Sequence, residues 1–176
     1  VLNPLGFNNT YAMAVTKETA EKYNLKTISD LAKVSDQLTL GPTIQFPNRE
    51  DGLIGLEKAY NMKFNAVKPM ETGLRYTALM SGESDVTDAF TTDGLIKKFD
   101  LVVLEDDKNF FPPYDAVTMV KKEALEEYPE LEEVIGLLDG VITEDKMIKM
   151  NYEVDENKRS PKEVAIEFLK SEGLID

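Results

Sequence analysis

A polar and aromatic group of residues leads directly into an apolar one in the stretch Leu5-Gly6-Phe7-Asn8-Asn9-Thr10-Tyr11-Ala12-Met13-Ala14-Val15. The apolar part, 11–15, is short and follows polar residues, which predicts a buried β-strand. No helix cap or signal peptide precedes it, and we expect the sequence to enter in the middle of a fold. This stretch therefore predicts a strand that presents polar and aromatic side chains where it begins.

The composition excludes several classes of function. The 176 residues include 20 Lys and Arg against 33 Asp and Glu, and the net charge of −13 argues against binding to nucleic acid or to an anionic membrane surface. The sequence has no Cys and no His, which rules out thiolate chemistry and a Ser-His-Asp site and argues strongly against a typical zinc site. We predict a protein that is not an enzyme and that holds no cofactor and no metal.

The first hundred residues alternate between strand and helix patterns. The predicted strands are 11–15, 38–40, 66–70, 85–90 and 101–104, and the predicted helices follow Thr16, begin at Ser29, and cover 52–60, 71–81 and 92–98. Short connections between alternating elements favour an α/β fold whose sheet is covered by helices on both faces.

The pattern changes after Glu105. A stiff aromatic loop, Phe110-Phe111-Pro112-Pro113-Tyr114, leads to one more predicted strand at 116–120. Helices are predicted over 123–138, 143–154 and 161–172, the last with Ser160 as its N-cap and Pro161 in its first position. Because one strand and three helices make a poor independent domain, we expect this region to complete a domain whose other part is absent.

Four loop clusters carry the candidate chemistry: 8–11, 45–52, 88–94 and 110–115. They fall at strand ends, where open α/β folds bind their ligands. Each cluster contains an aromatic residue, and the second also contains Arg49. Aromatic faces attract a quaternary ammonium group, and an arginine fork binds a carboxylate through two charge-assisted hydrogen bonds. Together these residue types indicate a receptor for a betaine.

Each of these residues also has a plainer structural explanation. Tyr11 fits an ordinary aromatic residue of a strand, and Arg49 fits an ion pair with its acidic neighbours. Phe90 fits the core, Tyr114 fits a turn, and the Phe110-Phe111 pair fits packing. Spacing alone leaves both explanations open.

Several segments resemble the osmoprotectant-binding proteins of bacterial and archaeal ABC transporters, the glycine betaine/carnitine/choline-binding family. The matching segments are Leu5-Gly6-Phe7-Asn8-Asn9-Thr10-Tyr11-Ala12, Arg49-Glu50-Asp51-Gly52, Asp88-Ala89-Phe90-Thr91-Thr92-Asp93-Gly94 and Pro112-Pro113-Tyr114. The resemblance implies a periplasmic-binding-protein-like fold of type II, in which two α/β lobes close over the ligand. It also implies that Tyr11, Phe90 and Tyr114 belong to an aromatic box around a trimethylammonium group. Arg49 would bind the carboxylate, and Asn9, Thr10 and Thr91 would complete the ligand-binding set.

The chain departs from the family in three respects. Phe90 stands where the family usually has tyrosine, which keeps the aromatic face and loses a hydroxyl. Gln45 stands where some relatives have an acidic residue. Family members also carry roughly a hundred further residues before the Asn-Asn-Thr-Tyr segment. The resemblance therefore implies one complete lobe at 8–107, the second lobe of such a protein. Residues 1–7 and 108–176 would be the hinge strands and the C-terminal helical part of a first lobe whose N-terminal part is absent.

The function implied by the resemblance is that of a solute-binding module. It would deliver a quaternary-ammonium osmoprotectant such as glycine betaine, carnitine or choline to an ABC permease. It would work at the extracellular face of the membrane, as a lipoprotein or fused to the permease, or in the periplasm. The alternatives are a binding lobe for another zwitterion such as an amino acid, and an assembly fragment that forms a homo-oligomer through its incomplete lobe.

Overall fold

A computed structural model describes residues 1–176 and contains seven strands and nine α-helices. The strands are β1 Pro4–Asn8, β2 Tyr11–Val15, β3 Thr39–Leu40, β4 Ala66–Val67, β5 Val86–Phe90, β6 Val102–Leu104 and β7 Asp115–Val117. The helices are α1 Lys17–Tyr23, α2 Ile28–Ala32, α3 Leu53–Tyr60, α4 Arg75–Met80, α5 Gly94–Lys98, α6 Lys122–Glu127, α7 Glu130–Gly136, α8 Glu144–Asp155 and α9 Pro161–Ser171. None of these helices has the length and apolar character that a membrane span requires.

The chain divides into two compact units. The sheet unit comprises Thr10–Thr91 and Leu95–Pro112, and the helical unit comprises Val1–Asn9, Thr92–Gly94 and Pro113–Asp176. The lobe boundaries that the family resemblance implies stay a prediction.

The sheet unit contains a five-stranded mixed sheet in the order β4-β3-β5-β2-β6. β2 is antiparallel to both of its neighbours, whereas β3 runs parallel to β4 and β5. Alternate residues of β2 enter different cores, with Met13 and Val15 in one and Ala14 in the other. Helices α1, α2 and α3 contribute to the first core, and α4 to the second. The prediction of an α/β sheet with helices on both faces is confirmed, and β2 is therefore buried along its whole length.

The helical unit is built around a two-stranded antiparallel sheet of β1 and β7. The backbone N–H groups of Gly140 and Ile142 donate to the carbonyls of Pro4 and Leu5, so a third segment lies along β1. Gly6 has a φ of +115°, and a Cβ atom there would lie 2.8 Å from the carbonyl carbon of Gly140. Only glycine satisfies both constraints without distortion.

Several predicted helix boundaries are wrong. α2 begins at Ile28 rather than Ser29, because Thr27 and Asp30 form a capping box. α4 covers only Arg75–Met80 of the predicted 71–81. The predicted helix 123–138 is two helices, α6 and α7, because Pro129 disfavours the helical conformation at Tyr128, whose ψ is 78°.

The last helix begins where it was predicted. Pro161 occupies its first turn and Ser160 has the extended N-cap conformation, but the Ser160 side chain makes no capping hydrogen bond. The predicted helix start and Ser160 as its N-cap residue are both confirmed.

Candidate functional site

The first and third predicted clusters meet in the sheet because β2 and β5 are antiparallel neighbours. Tyr11 lies directly opposite Phe90 in the register. One step beyond this pair, Thr91 donates its backbone N–H to the carbonyl of Thr10 at 3.0 Å. The Thr10 hydroxyl donates to the carbonyl of Pro112 at 2.7 Å. Thr10 therefore holds the aromatic loop of residues 110–112 at the end of β2.

Four rings form what we call the aromatic cluster: Tyr11, Phe46, Phe90 and Phe111. Tyr11 is at its centre, with its ring centroid 4.8 Å from Phe90 in a stacked arrangement. It also lies 5.2 Å from Phe46 in an edge arrangement and 6.0 Å from Phe111. Tyr11, Phe46 and Phe111 are buried, whereas Phe90 is half-buried. Ring pairs at such separations stabilise one another beyond the burial of their area, by about 0.5–1.5 kcal/mol each.

Phe46 and Phe111 lie in two of the predicted loop clusters, but the sequence analysis assigned neither of them to the ligand-binding set. Phe46 lies in a short 3₁₀ helix, Phe46–Asn48, where the sequence analysis predicted only a loop. Phe111 is buried, as the packing explanation expects. Each precedes a proline, in the Phe46-Pro47 and Phe111-Pro112 pairs. The sequence signal that could have identified both residues is a phenylalanine followed by a proline, because the proline restricts the backbone conformation of the residue before it.

A hydrogen-bonded anchor positions Phe111. The Tyr60 hydroxyl donates to Asp106, and the second carboxylate oxygen of Asp106 accepts from the backbone N–H of Phe111 at 2.8 Å. The Tyr60 oxygen also accepts from the backbone N–H of Lys108 at 2.9 Å. Burial and the bond to Asp106 raise the pKa of Tyr60 above its ordinary value, so the hydroxyl keeps its proton.

Arg49 lies at the edge of the aromatic cluster. Its Nε and Nη2 donate to the two carboxylate oxygens of Asp51 at 2.7 and 2.6 Å. Its guanidinium carbon lies 5.8 Å from the centroid of the Tyr11 ring. The structure thus contains the ion pair of the plainer explanation and also brings the predicted arginine beside a predicted box residue. The fork geometry fixes the guanidinium in direction as well as in position.

A second arginine lies next to Phe90. Arg75 is buried, and its guanidinium carbon is 4.7 Å from the ring centroid of Tyr76 and 5.7 Å from that of Phe90. Asp88 is also buried and accepts from the backbone N–H and the hydroxyl of Thr43 at 2.7 and 2.8 Å. Burial raises the pKa of Asp88, and the positive charge of Arg75 counteracts this shift. Sequence analysis did not identify Arg75, because it lies in a segment with an ordinary helix pattern and nothing in that pattern indicates a role in a site.

The environment of Tyr11 keeps it neutral. Burial raises the pKa of its hydroxyl above the ordinary value, with further upward contributions from Asp88 and Asp51, while Arg49 and Arg75 act in the opposite direction. The ring therefore presents an uncharged aromatic face.

The helical unit holds the other two predicted site residues, Asn9 and Tyr114. The backbone N–H of Tyr114 donates to Oδ1 of Asn8 at 2.6 Å, and its carbonyl accepts from the backbone N–H of Asn9 at 3.0 Å. Asn9 Oδ1 accepts from the Thr92 hydroxyl at 2.6 Å. The side chain of Tyr114 is 40% exposed. The asparagine pair thus fixes the backbone of Tyr114 and leaves its ring at the surface.

The structure therefore gathers five of the seven predicted ligand-binding residues in the sheet unit. These are Thr10, Tyr11, Arg49, Phe90 and Thr91. Their roles towards a ligand, with those of Asn9 and Tyr114, stay predictions. No group of three or more Asp, Glu, His or Cys side chains is arranged to hold a metal ion.

Open α/β sheets bind small molecules at their strand ends, and such sites are lined by aromatic side chains with a few oriented polar groups. Residues 1–171 match the family described as the substrate-binding domain of the ABC-type glycine betaine transport system. The chain belongs to that family, and the resemblance seen in the sequence is confirmed.

Two curated relatives illustrate the similarity. The carnitine transport binding protein of Listeria monocytogenes serotype 1/2a (strain 10403S) is 44% identical over 172 residues, which cover 97% of this chain and 56% of the relative. The ergothioneine transport permease/ergothioneine binding protein of Helicobacter pylori (strain G27) is 45% identical over 170 residues, covering 97% of this chain and 31% of the relative. The chain thus spans about a third to a half of the length of these relatives, which are transport proteins.

Solved structures agree with the fold. A crystal structure of a glycine betaine/carnitine/choline ABC transporter matches with a TM-score of 0.88 and 47% identity, over 99% of this chain and 64% of that one. An unliganded Escherichia coli protein matches with a TM-score of 0.73 and 25% identity, over 99% of this chain and 66% of that one. The predicted periplasmic-binding-protein-like class is confirmed.

Proposed function

We propose that the chain is the ligand-binding part of a solute-binding protein that delivers a quaternary-ammonium osmoprotectant to an ABC permease. Its place would be the extracellular face of the membrane or the periplasm. The observation that carries the proposal is the Arg49 guanidinium, oriented by Asp51 and 5.8 Å from the Tyr11 ring centroid.

This arrangement suits a short zwitterion. A quaternary ammonium group is attracted to an aromatic face when it lies within about 6 Å of the ring centroid. A carboxylate needs a guanidinium at hydrogen-bonding distance. Because the guanidinium of Arg49 and the ring of Tyr11 are neighbours, one small molecule can satisfy both when its two charges are separated by only a few bonds.

The ligands named for the relatives share that chemistry. Carnitine, glycine betaine and ergothioneine each carry a trimethylammonium group and a carboxylate, and they are named for proteins 44%, 36% and 45% identical to this chain. We therefore take a trimethylammonium zwitterion as the ligand class of this chain.

Each predicted residue has a role in this proposal. Tyr11, Phe90 and Tyr114 provide aromatic faces for the ammonium group, and Arg49 binds the carboxylate. Thr10 and Thr91 position the strand ends that carry Tyr11 and Phe90. Asn9 fixes the backbone next to Tyr114.

Calorimetric titration of the full-length protein with glycine betaine and choline tests the proposal. Choline keeps the trimethylammonium group and has a hydroxyl in place of the carboxylate. We expect Arg49→Ala to weaken glycine betaine at least tenfold more than choline, since a charged hydrogen-bond pair contributes about 1.5–3 kcal/mol. The control is Arg159→Ala, which removes an arginine of the helical unit that is paired with Glu153 and Glu167.

Two outcomes would contradict the assignment. Equal weakening of both ligands by Arg49→Ala would show that Arg49 does not bind the carboxylate. If Tyr114→Ala left the preference for trimethylated over unmethylated ligands unchanged, the aromatic box would be wrong, and a site for another zwitterion such as an amino acid would be favoured.

A further inference from the structure

Positive charge accompanies both predicted box rings of the sheet unit. The guanidinium of Arg49 lies 5.8 Å from the Tyr11 ring centroid, and that of Arg75 lies 5.7 Å from the Phe90 ring centroid. A quaternary ammonium group at these rings would be repelled by both arginines. The repulsion matters because the arginines are close to the rings and are partly shielded from water, which would otherwise weaken it. A site for cations therefore needs compensating negative charge close by.

Two carboxylates supply that charge, in different ways. Asp88 is buried beside Arg75 and bonded twice to Thr43, so it is part of the fold. Asp51 lies at the partly exposed edge of the aromatic cluster. Its side chain is 27% exposed, and both of its carboxylate oxygens accept hydrogen bonds from Arg49. All four charges act on the Tyr11 hydroxyl, two in each direction. Asp51 is the one compensating charge that can be altered without opening the core.

We propose that Asp51 sets the selectivity between purely cationic and zwitterionic ligands by offsetting the charge of Arg49. The inference rests on the proposed function. A betaine brings its own carboxylate to Arg49, which replaces the charge of Asp51, and an asparagine at position 51 keeps one oxygen that can accept a hydrogen bond from the guanidinium. Choline brings none, so without Asp51 its ammonium group meets a guanidinium that has lost the carboxylate bound to its Nε and Nη2. Asp51 is thus a selectivity-determining residue that acts through Arg49 rather than by contacting the ligand.

The size of the effect follows from the geometry. The side chains of Arg49 and Asp51 are 44% and 27% exposed, so water screens part of the Coulomb repulsion between the guanidinium and an ammonium group near the Tyr11 ring. Because this edge of the cluster is partly exposed, we expect an intermediate effect of about tenfold in affinity, equivalent to about 1.4 kcal/mol.

The test is a titration of the full-length protein with choline and glycine betaine at low ionic strength. We expect Asp51→Asn to weaken choline about tenfold and glycine betaine less than threefold. The matched control is Glu50→Gln, which removes the neighbouring negative charge. The Glu50 side chain is 79% exposed and pairs with Lys58 at 3.5 Å, so we expect its loss to change neither affinity by more than twofold. The Asp51→Asn effect should also shrink at high salt, because screening weakens it.

A second variant keeps the inference testable if Asp51→Asn is poorly folded. Arg49→Met removes the repelling charge and should leave choline binding unchanged or tighter while weakening glycine betaine. Equal effects of Asp51→Asn on both ligands would overturn the selectivity role and leave the proposed function intact. A loss of choline binding in Arg49→Met as large as the loss of glycine betaine would overturn both the selectivity role and the assignment of Arg49 to the carboxylate. A wild-type protein that binds no trimethylammonium compound would overturn the selectivity role and the proposed function.

Discussion

Replacing Tyr60 by phenylalanine should destabilise the sheet unit and loosen the aromatic cluster. The Tyr60 hydroxyl donates to Asp106 and accepts from the backbone N–H of Lys108. The substitution removes both bonds and keeps the ring, which is buried against the core. A bond to a charged partner contributes about 1.5–3 kcal/mol and a neutral one about 0.5–1.5 kcal/mol.

The expected loss is about 2 kcal/mol of unfolding free energy. We take the lower part of the summed range because Asp106 is half-buried and Lys108 is exposed, so water replaces some of the lost bonding. For a chain of this size the loss corresponds to a decrease in Tm of about 4–8 °C. Urea denaturation followed by far-ultraviolet circular dichroism gives the free energy, and a thermal scan gives Tm.

The matched control is Tyr23→Phe. Tyr23 is half-buried and packs on the same core, but its hydroxyl makes no hydrogen bond within the protein. We expect its replacement to change the free energy of unfolding by less than about 0.5 kcal/mol. If Tyr60→Phe cost no more than Tyr23→Phe, the anchor that joins Tyr60, Asp106 and Phe111 would not contribute to stability as described.

Three further predictions concern other parts of the chain. Nuclear magnetic resonance titration should give the Asp30 carboxyl a pKa of about 2, below the ordinary 3.8, because Lys33 and the backbone N–H groups of Thr27 and Lys26 bond the carboxylate. The resulting stabilisation is complete above about pH 4 and lost as the pH falls towards 2; an ordinary pKa would contradict the capping box. Gly6→Ala should destabilise the helical unit by at least about 2 kcal/mol, since the added Cβ would overlap Gly140 at a positive φ; hydrogen exchange of the β1 and β7 amides should rise, and unchanged exchange would refute this. The 176-residue chain should bind glycine betaine weakly, because Phe90 is only half-buried and Tyr114 is 40% exposed, so these rings exclude little water from an ammonium group; a calorimetric dissociation constant in the low micromolar range or tighter would refute this.

The fold was predictable where the sequence pattern is local. The bounds of β2 match the predicted strand, because polar residues on both sides of a short apolar run define where the buried strand begins and ends. The helix start at Thr16 was likewise predicted, and the Thr16 side chain does accept from the Thr19 backbone N–H. Local signals failed where two of them compete. Thr27 and Ser29 are both good caps, and only the Asp30 carboxylate, which bonds back to the Thr27 N–H, decides between them.

The candidate site was predictable only in its residue types. The sequence places Tyr11 and Phe90 at strand ends but does not state that the two strands are antiparallel neighbours. Arg75 could not be found, because its distance from Phe90 depends on how α4 packs on the sheet. The same limit applies to Asp51, whose role depends on which of several nearby carboxylates pairs with Arg49.

The pairing of Tyr11 with Phe90 has a consequence for how ligand preference can change in this family. Because the two residues face each other across an antiparallel ladder, the backbone sets the spacing of their side chains. A substitution at position 90 can therefore add or remove a hydroxyl group without altering the spacing between the side chains at positions 11 and 90. Phe90→Tyr should tune polarity at constant shape. The register of the sheet therefore lets the polarity at position 90 change while the backbone that carries the side chain keeps its place opposite Tyr11.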